Sequence, residues 1–361
     1  MTGRVAPGRQ DENGLATEIG VPAAPDPPGP AGLSGSLAPT EVSRRSRWWR
    51  VLRTAVAGAF ALFIVVIVAS QWREVRPLLS ELSVPAVLAA AVAVLAGIFG
   101  TFLCWRAILT ALGSTPPVSG GMRIFFVGQL AKYVPGAIWP AVTQMQLGRA
   151  YQVPPRASGA AVVIFLLTIF GTGLVVAVPT LPLLSSDLPA AYWLTLAVLP
   201  LAVVALLPPI TNRLIGLALR LTRRPPLPQP MTLAGVLRSA GWSVVAWVAY
   251  GVQAVILVEA LGTPADGRLF AILTGAFAAA FCLQFMLPFG PAGAGVREGA
   301  LILLLAATVP RPQATVFAVV SRLLFTLGDV AWSVAALLLD RRRQQLSSAG
   351  SPRSSSRGKA S

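Results

Sequence analysis

Histidine is missing from all 361 residues, which removes imidazole general acid–base catalysis and the commonest metal ligand. There are only two cysteines, Cys104 and Cys282, each inside an apolar block, where a thiol packs as a small hydrophobe. Zinc and haem sites are therefore left almost without ligands, and no cofactor is expected. Charge is scarce as well: 12% of residues are Asp, Glu, Lys or Arg, against about a quarter in ordinary soluble domains. So few charges cannot cover a water-facing surface. Lysine is nearly absent, confined to Lys132 and Lys359, so arginine carries the formal charge of +16. The dominance of Arg, with many Ala, Gly and Pro, points to a GC-rich bacterial genome.

What remains is apolar. Hydrophobic residues make up 55% of the chain and the mean hydropathy is +0.71. Eight blocks are long enough, or nearly so, to cross about 30 Å of hydrocarbon at 1.5 Å per residue. They fall near 53–70, 84–112, 157–181, 190–208, 238–261, 268–287, 294–309 and 313–339. The first lies behind a long polar leader without a convincing cleavage site, and reads as a retained signal anchor. The fold class expected is an all-α polytopic membrane protein of about eight transmembrane helices, with one or two re-entrant or broken segments. Residues 1–43 and 344–361, rich in Pro, Gly, Ala, Ser and Arg, read as disordered tails around a transmembrane domain over 44–343.

The basic residues cluster at block edges, which is membrane topology and not a nucleic-acid surface. With eight crossings and the N-terminus inside, only Arg73, Arg76, Arg268 and Arg311 fall outside. The inner side receives the clusters at 44–53, 106–156, 213–238 and 341–359. This bias predicts the cytoplasmic membrane with both termini cytoplasmic. It also requires 294–309 to cross, since otherwise Arg341–Arg343 would lie outside. Ile210, Leu214, Leu217 and Leu221 share a helical face beside Arg213, Arg220 and Arg224. That pattern fits a helix on the inner surface or an extension of the fourth span.

Three sets of residues carry the functional expectation. The segment 120–148 is broken at Val134-Pro135-Gly136 and again at Pro140. A helix entering here stops near Tyr133, and Pro140 suits the first turn of a second half-helix whose free N–H groups form an anion site. The segment reads as re-entrant, entering and leaving on one face, with Lys132 beside the break available for a phosphate. The second set is Pro288 to Gly299, where a Gly/Pro-rich turn containing Gly293 and Gly295 leads into a helix bearing Arg297 and Glu298. Glycine lets the backbone approach a ligand closely, and an arginine at a helix start is again anion-binding chemistry. Glu298 also suits the helix dipole there, and the two residues were open to occupying different environments. The third set is Arg322 and Asp329, seven residues apart on one face of the last span. Buried charges need partners. Arg322–Glu298, Asp329–Arg297 and Asp329–Lys132 are the available pairings, with Glu298 and Asp329 the only carboxylates expected to be buried. Two interrupted segments in separate halves point to a midplane binding site and hint at an inverted repeat.

At these residues the chain resembles the lysylphosphatidylglycerol synthase transmembrane, flippase-like family. The stretch GQLAKYVPGAIWPAVTQMQLGRAYQVP is similar to its GKYLPG…W motif, and LPFGPAGAGVREGAL is similar to its Pro/Gly-rich turn ending in G-x-R-E. Lys132, Tyr133, Pro135, Gly136 and Trp139 fall on the first motif. Pro288, Gly293, Gly295, Arg297 and Glu298 fall on the second. The resemblance covers roughly residues 50–340. It implies a unit that handles lipids and, in members fused to a soluble aminoacyl-transferase domain, flips the aminoacylated product. That domain has no counterpart here, so lipid aminoacylation is not inherited. Related units also occur attached to glycosyltransferases.

The resulting expectation is a flippase or lipid transporter, not an enzyme, moving a phospholipid or polyprenyl-linked lipid with an anionic headgroup. Lys132, Tyr133, Pro135, Gly136, Trp139, Gly293, Gly295, Arg297, Glu298, Arg322 and Asp329 are the candidate substrate-binding residues. The competing expectation is a non-transporting membrane partner that anchors or regulates a separate lipid-modifying transferase. Nucleic acid is not expected as a partner.

Overall fold

The structure is a computed structural model. It describes residues 76–77, 82–133, 138–183, 199–200, 203–221, 223, 225–227, 229–264, 266–286 and 295–349. The expected disordered leader (1–43), the first block (53–70), most of the fourth (190–208), and Pro135, Gly136, Pro288 and Gly293 lie outside these residues.

The described residues form helices without a strand. They are α1 (Val84–Ala111), α2 (Val118–Met122), α3 (Gly128–Leu130), α4 (Trp139–Arg149), α5 (Pro155–Ala177), α6 (Pro208–Leu221), α7 (Leu233–Ala260), α8 (Gly267–Met286), α9 (Val296–Leu305) and α10 (Arg311–Ala349). Five helices are long and apolar enough to span a bilayer: Val84–Ala111, Pro155–Thr180, Leu233–Ala260, Gly267–Met286 and Arg311–Leu346. The chain is an all-α, multi-pass membrane protein.

Antiparallel α1 and α7 form the central pair. Gly97 and Gly100 on α1 receive Tyr250 and Ala246 of α7, and Gly235 near the start of α7 receives Ala111. Between apolar helices in lipid, small residues at the crossing gain dispersion contacts that water would not drive. Gly173 of α5, Gly251 of α7 and Gly275 of α8 do the same, meeting Cys282, Thr274 and Thr180. Both α1 and α7 begin on side-chain caps, from Ser83 to the Ala86 amide and from Thr232 to the Gly235 amide.

The bundle has two distinguishable ends. At one, Asp340 near the end of α10 meets Arg123 and Tyr151. At the other, Gln313 donates to the Leu261 carbonyl and Arg268 to the Leu183 carbonyl. The Asp340 end carries Arg123 and the adjacent Arg341–Arg343, while Arg268 and Arg311 lie at the Arg311 end.

The described residues of segment 120–148 run out and back side by side, as a re-entrant segment would. Helix α2 leaves the Asp340 end and passes through a π-helical stretch (Arg123–Val127), α3 and a 3-10 turn (Ala131–Tyr133). After the break, α4 returns beside it, with Gln144 packed on Gly128. Pro140 sits in the first turn of α4.

Two expectations about spans need correction. The seventh block, 294–309, is not a full helical crossing: α9 has only 10 residues, about 15 Å, roughly half the hydrocarbon thickness. It nevertheless returns the chain to the Arg311 end, where α10 begins, so Arg341–Arg343 stay at the Asp340 end without a complete seventh span. Residues 344–349 of the expected tail are instead helical, because α10 continues to Ala349, and 350–361 lie outside the described residues. The run Arg341–Gln345 consists of good helix formers and contains no breaker before Ser347. The amphipathic helix expected near 210–221 is α6, set off by a bend at Leu207. Leu214, Leu217 and Leu221 are exposed on it, and Ile215 is buried.

Candidate functional site

Helix α10 is the element on which the site is assembled. Arg322, Asp329 and Asp340 are separated by seven and eleven residues, so all three return to one helical face. All three are buried, as is Ser333 between them. The hairpin α2–α4 lies along this face. Its base is fixed at Asp340, whose Oδ2 accepts from Arg123 Nη1 at 2.9 Å, Tyr151 Oη at 2.6 Å and Gln344 Nε2 at 2.9 Å. Midway, Ser333 Oγ lies 3.1 Å from the Phe126 carbonyl in the π-helical stretch, where the ordinary i−4 ladder is disturbed. Trp332 stacks on Phe126 at 5.3 Å and donates to the Leu95 carbonyl.

At the hairpin tip, the 3-10 turn presents Lys132 and Tyr133 to Asp329. Lys132 Nζ lies 2.6 Å, and Tyr133 Oη 2.7 Å, from the same Oδ2. Of the pairings open in the sequence, Asp329–Lys132 forms; Asp329–Arg297 is not among the ion pairs of the described residues. Lys132 also stands over the Tyr133 ring, 5.5 Å from its centroid. Trp139, half-buried, opens α4 just past the break.

From the opposite end, α8 and α9 form a second hairpin. Gly295 precedes α9 at φ +88°, a conformation that favours glycine because a Cβ would be strained there. Its amide donates to Glu298 Oε2 at 2.7 Å, so the carboxylate serves as the cap that the glycine lacks. The other oxygen, Oε1, lies 3.5 Å from both Arg297 Nε and Arg322 Nη1. Arg322–Glu298 is thus the second pairing realised. Arg297 and Glu298 share one environment, which closes the possibility that they serve separate ones.

Arg297 is only 3% exposed. Its guanidinium lies between the rings of Phe277 and Phe325, 5.2 and 4.9 Å from their centroids. Cation–π attraction offsets part of the desolvation. Its Nε and Nη2 make no hydrogen bond. A buried donor left unsatisfied costs about 1–3 kcal/mol, and more when charged.

The two hairpins therefore reach α10 at neighbouring positions, Lys132 and Tyr133 at Asp329 and Glu298 at Arg322. Asp329 and Arg322 are two turns apart, about 10 Å along the axis. A family model described as the lysylphosphatidylglycerol synthase TM region matches residues 50–332. The chain belongs to this family. The comparison with curated proteins gives no match. Within this lysylphosphatidylglycerol synthase TM region fall Lys132, Tyr133, Arg297, Glu298, Arg322 and Asp329, whereas Asp340 lies beyond the matched residues.

The structure adds residues that sequence reasoning missed. Asp340 is buried, at 2% exposure, so Glu298 and Asp329 are not the only buried carboxylates. The eleven-residue spacing from Asp329 was the available signal. Phe277 and Phe325 carried none, because aromatic residues in apolar spans are ordinary packing. Among the described residues no cluster of three or more metal-ligating side chains occurs.

Proposed function

We propose that the chain is a lipid flippase or transporter of a bacterial cytoplasmic membrane, moving a phospholipid or polyprenyl-linked lipid with an anionic headgroup. The observation that carries this reading is Arg297, a buried guanidinium beside the second break, with two nitrogens that make no hydrogen bond and Glu298 as its ion-pair partner. Ionisable groups at membrane depth are costly and mark substrate paths. Broken helices meeting near the midplane are where transporters hold polar cargo. In this reading the headgroup travels past Arg297 and Lys132 while the acyl chains remain in lipid, and Glu298 and Asp329 hold the cations in place between cargoes. The Asp340 end, richer in arginine, faces the cytoplasm.

No catalytic step belongs to this reading. The chain acts as a carrier, and a separate lipid-modifying transferase is its natural partner. The test is transbilayer movement of fluorescent phospholipids and a labelled polyprenyl phosphate in proteoliposomes, read by reduction of the outer-leaflet label. Faster movement than in empty liposomes, lost in Arg297→Gln, is the expected result. Rates equal to empty liposomes for every lipid, from protein that co-purifies with a transferase, would favour the anchoring role instead.

A further inference from the structure

Helix α6 takes no part in the ion pairs on α10, yet its residues are sorted by face. At about 100° per residue, Thr211, Ile215 and Leu219 share one face. Leu214, Leu217 and Leu221 fall on the other within an arc of about 60°, and Arg213 and Arg220 flank that arc on one side. The first face is the inner one, since Thr211 and Ile215 are buried. Leu214, Leu217 and Leu221 are 50%, 55% and 76% exposed, with Arg213, Arg220 and Arg223 exposed beside them. Asn212 fixes the rotation by gripping the Met231 backbone twice. Its Nδ2 donates to the carbonyl at 3.0 Å, and its Oδ1 accepts from the amide at 2.8 Å. The leucine face is therefore held outward by a specific contact.

The same grip sets the depth of α6. Met231 lies two residues before α7, whose Gly235 meets Ala111 at the end of α1, and Gln229 lies against Gly113 just past that end. Helix α2 starts from this end too, so α6 is attached at the Asp340 end, level with the ends of two spans. Along the helix axis Arg220 is about 12 Å, and Leu221 about 14 Å, from Asn212. Running outward along the bundle axis, α6 would carry its leucine stripe into water. Running inward, it would take Arg220 into hydrocarbon. Only a helix lying in the headgroup layer suits both, with leucines in the upper acyl chains and guanidiniums at phosphate depth. The surrounding sequence sets the sign of the partner. No Asp or Glu occurs between Asp187 and Glu259, while Arg213, Arg220, Arg223, Arg224 and Arg238 do.

We infer that α6 is a docking surface for anionic phospholipids of the leaflet at the Asp340 end, anchored by Leu214, Leu217 and Leu221 and selective through Arg213, Arg220 and Arg223. The surface is separate from Arg297 and Lys132 and does not depend on lipid carriage. Guanidiniums meet phosphate oxygens through paired N–H groups. Each arginine near an anionic bilayer strengthens association by about fivefold, and salt weakens the effect. An acidic soluble protein would satisfy the arginines but leave the leucine stripe without an apolar partner. A leaflet supplies both.

The experiment attaches a small thiol-reactive fluorophore to the full chain at Leu214→Cys, Leu217→Cys or Leu221→Cys, in vesicles of phosphatidylcholine and phosphatidylglycerol. The native thiols, Cys104 and Cys282, are buried. Quencher lipids carry a nitroxide either near the glycerol or near the chain end, on a phosphatidylcholine or a phosphatidylglycerol. All three positions should be quenched by the shallow nitroxide and little by the deep one. At equal mole fraction, the phosphatidylglycerol quencher should act about threefold more strongly than the phosphatidylcholine one. That excess should vanish in the variant combining Arg213→Gln, Arg220→Gln and Arg223→Gln, and shrink in high salt. The headgroup comparison on the fluorophore-bearing chain with its arginines intact stands without the arginine variant, so a folding defect there cannot hide the answer. Quenching that shifts from shallow to deep between Leu214 and Leu221, about 10 Å apart along the axis, overturns the in-plane placement. Absence of quenching by any lipid means that protein covers the face and overturns the inference. Equal quenching by the two headgroups overturns it as well.

Discussion

The pair Lys132–Asp329 joins the first hairpin to α10, and removing either partner should reveal how much of the fold depends on it. Asp329 is 6% exposed and Lys132 keeps 34% of its side-chain surface, so the two substitutions are not equivalent. Lys132→Met leaves a carboxylate buried with Tyr133 as its remaining hydrogen-bond donor among the described residues. Deleting one member of a buried pair costs about 3–5 kcal/mol, and this variant should fall in that range. Asp329→Asn leaves an ammonium that reaches solvent or headgroups, so its loss should be smaller, about 1–3 kcal/mol. The double variant removes both charges and should recover about 1–2 kcal/mol relative to the sum of the singles. Thermal unfolding of the purified protein in detergent reads this out, at about 2–4 °C per kcal/mol for a chain of this size. Expected, then, is a larger drop for Lys132→Met than for Asp329→Asn, with a double variant above the additive line. If the double variant shows the sum of the two single losses, the residues do not interact, and the hairpin tip is held by something else.

Arg297→Met should raise stability by about 1–3 kcal/mol, since it removes two buried nitrogens without a hydrogen bond from between two rings while Arg322 still pairs with Glu298. The same variant should lose lipid movement in proteoliposomes; a variant that is both less stable and active would contradict the site. Gly295→Ala puts a Cβ on a residue at φ +88° and should cost about 1–2 kcal/mol, seen as a lower unfolding temperature with the helix content of the remaining protein unchanged. Asp340→Asn removes the charge that holds Arg123 and should cost about 1–3 kcal/mol, with faster proteolysis in 118–149 as the local sign that the hairpin base has loosened.

Much of the site was legible because breaks in apolar blocks are loud. Pro135, Gly136 and Pro140 are incompatible with an uninterrupted span, and they locate the tip of the first hairpin although two of them lie outside the described residues. The seven-residue spacing of Arg322 and Asp329 put both on one face, and two of the pairings open in the sequence are those the structure makes. Hydropathy failed over 294–309, because an apolar run says only that lipid or protein surrounds it, not at what depth it begins. Helix α9 starts inside the bundle, at Gly295, and its ten residues suffice only to leave. Choice between partners was also beyond the sequence. Whether Asp329 takes Lys132 or Arg297 depends on the direction from which each hairpin arrives, and composition contains no such direction.

Sharing one helix between two hairpins has a mechanical consequence. The α2–α4 hairpin is attached to α10 through Asp340, Ser333 and Asp329, and α9 through Arg322. Sliding either hairpin along α10 must separate Lys132 from Asp329 or Glu298 from Arg322, and each separation exposes a charge to a poorly polar surrounding. If the chain carries an anionic lipid as proposed, an anion at Arg297 would give a counter-charge to the cation that such a separation leaves unpaired, and the movement would cost less in an occupied site than in an empty one.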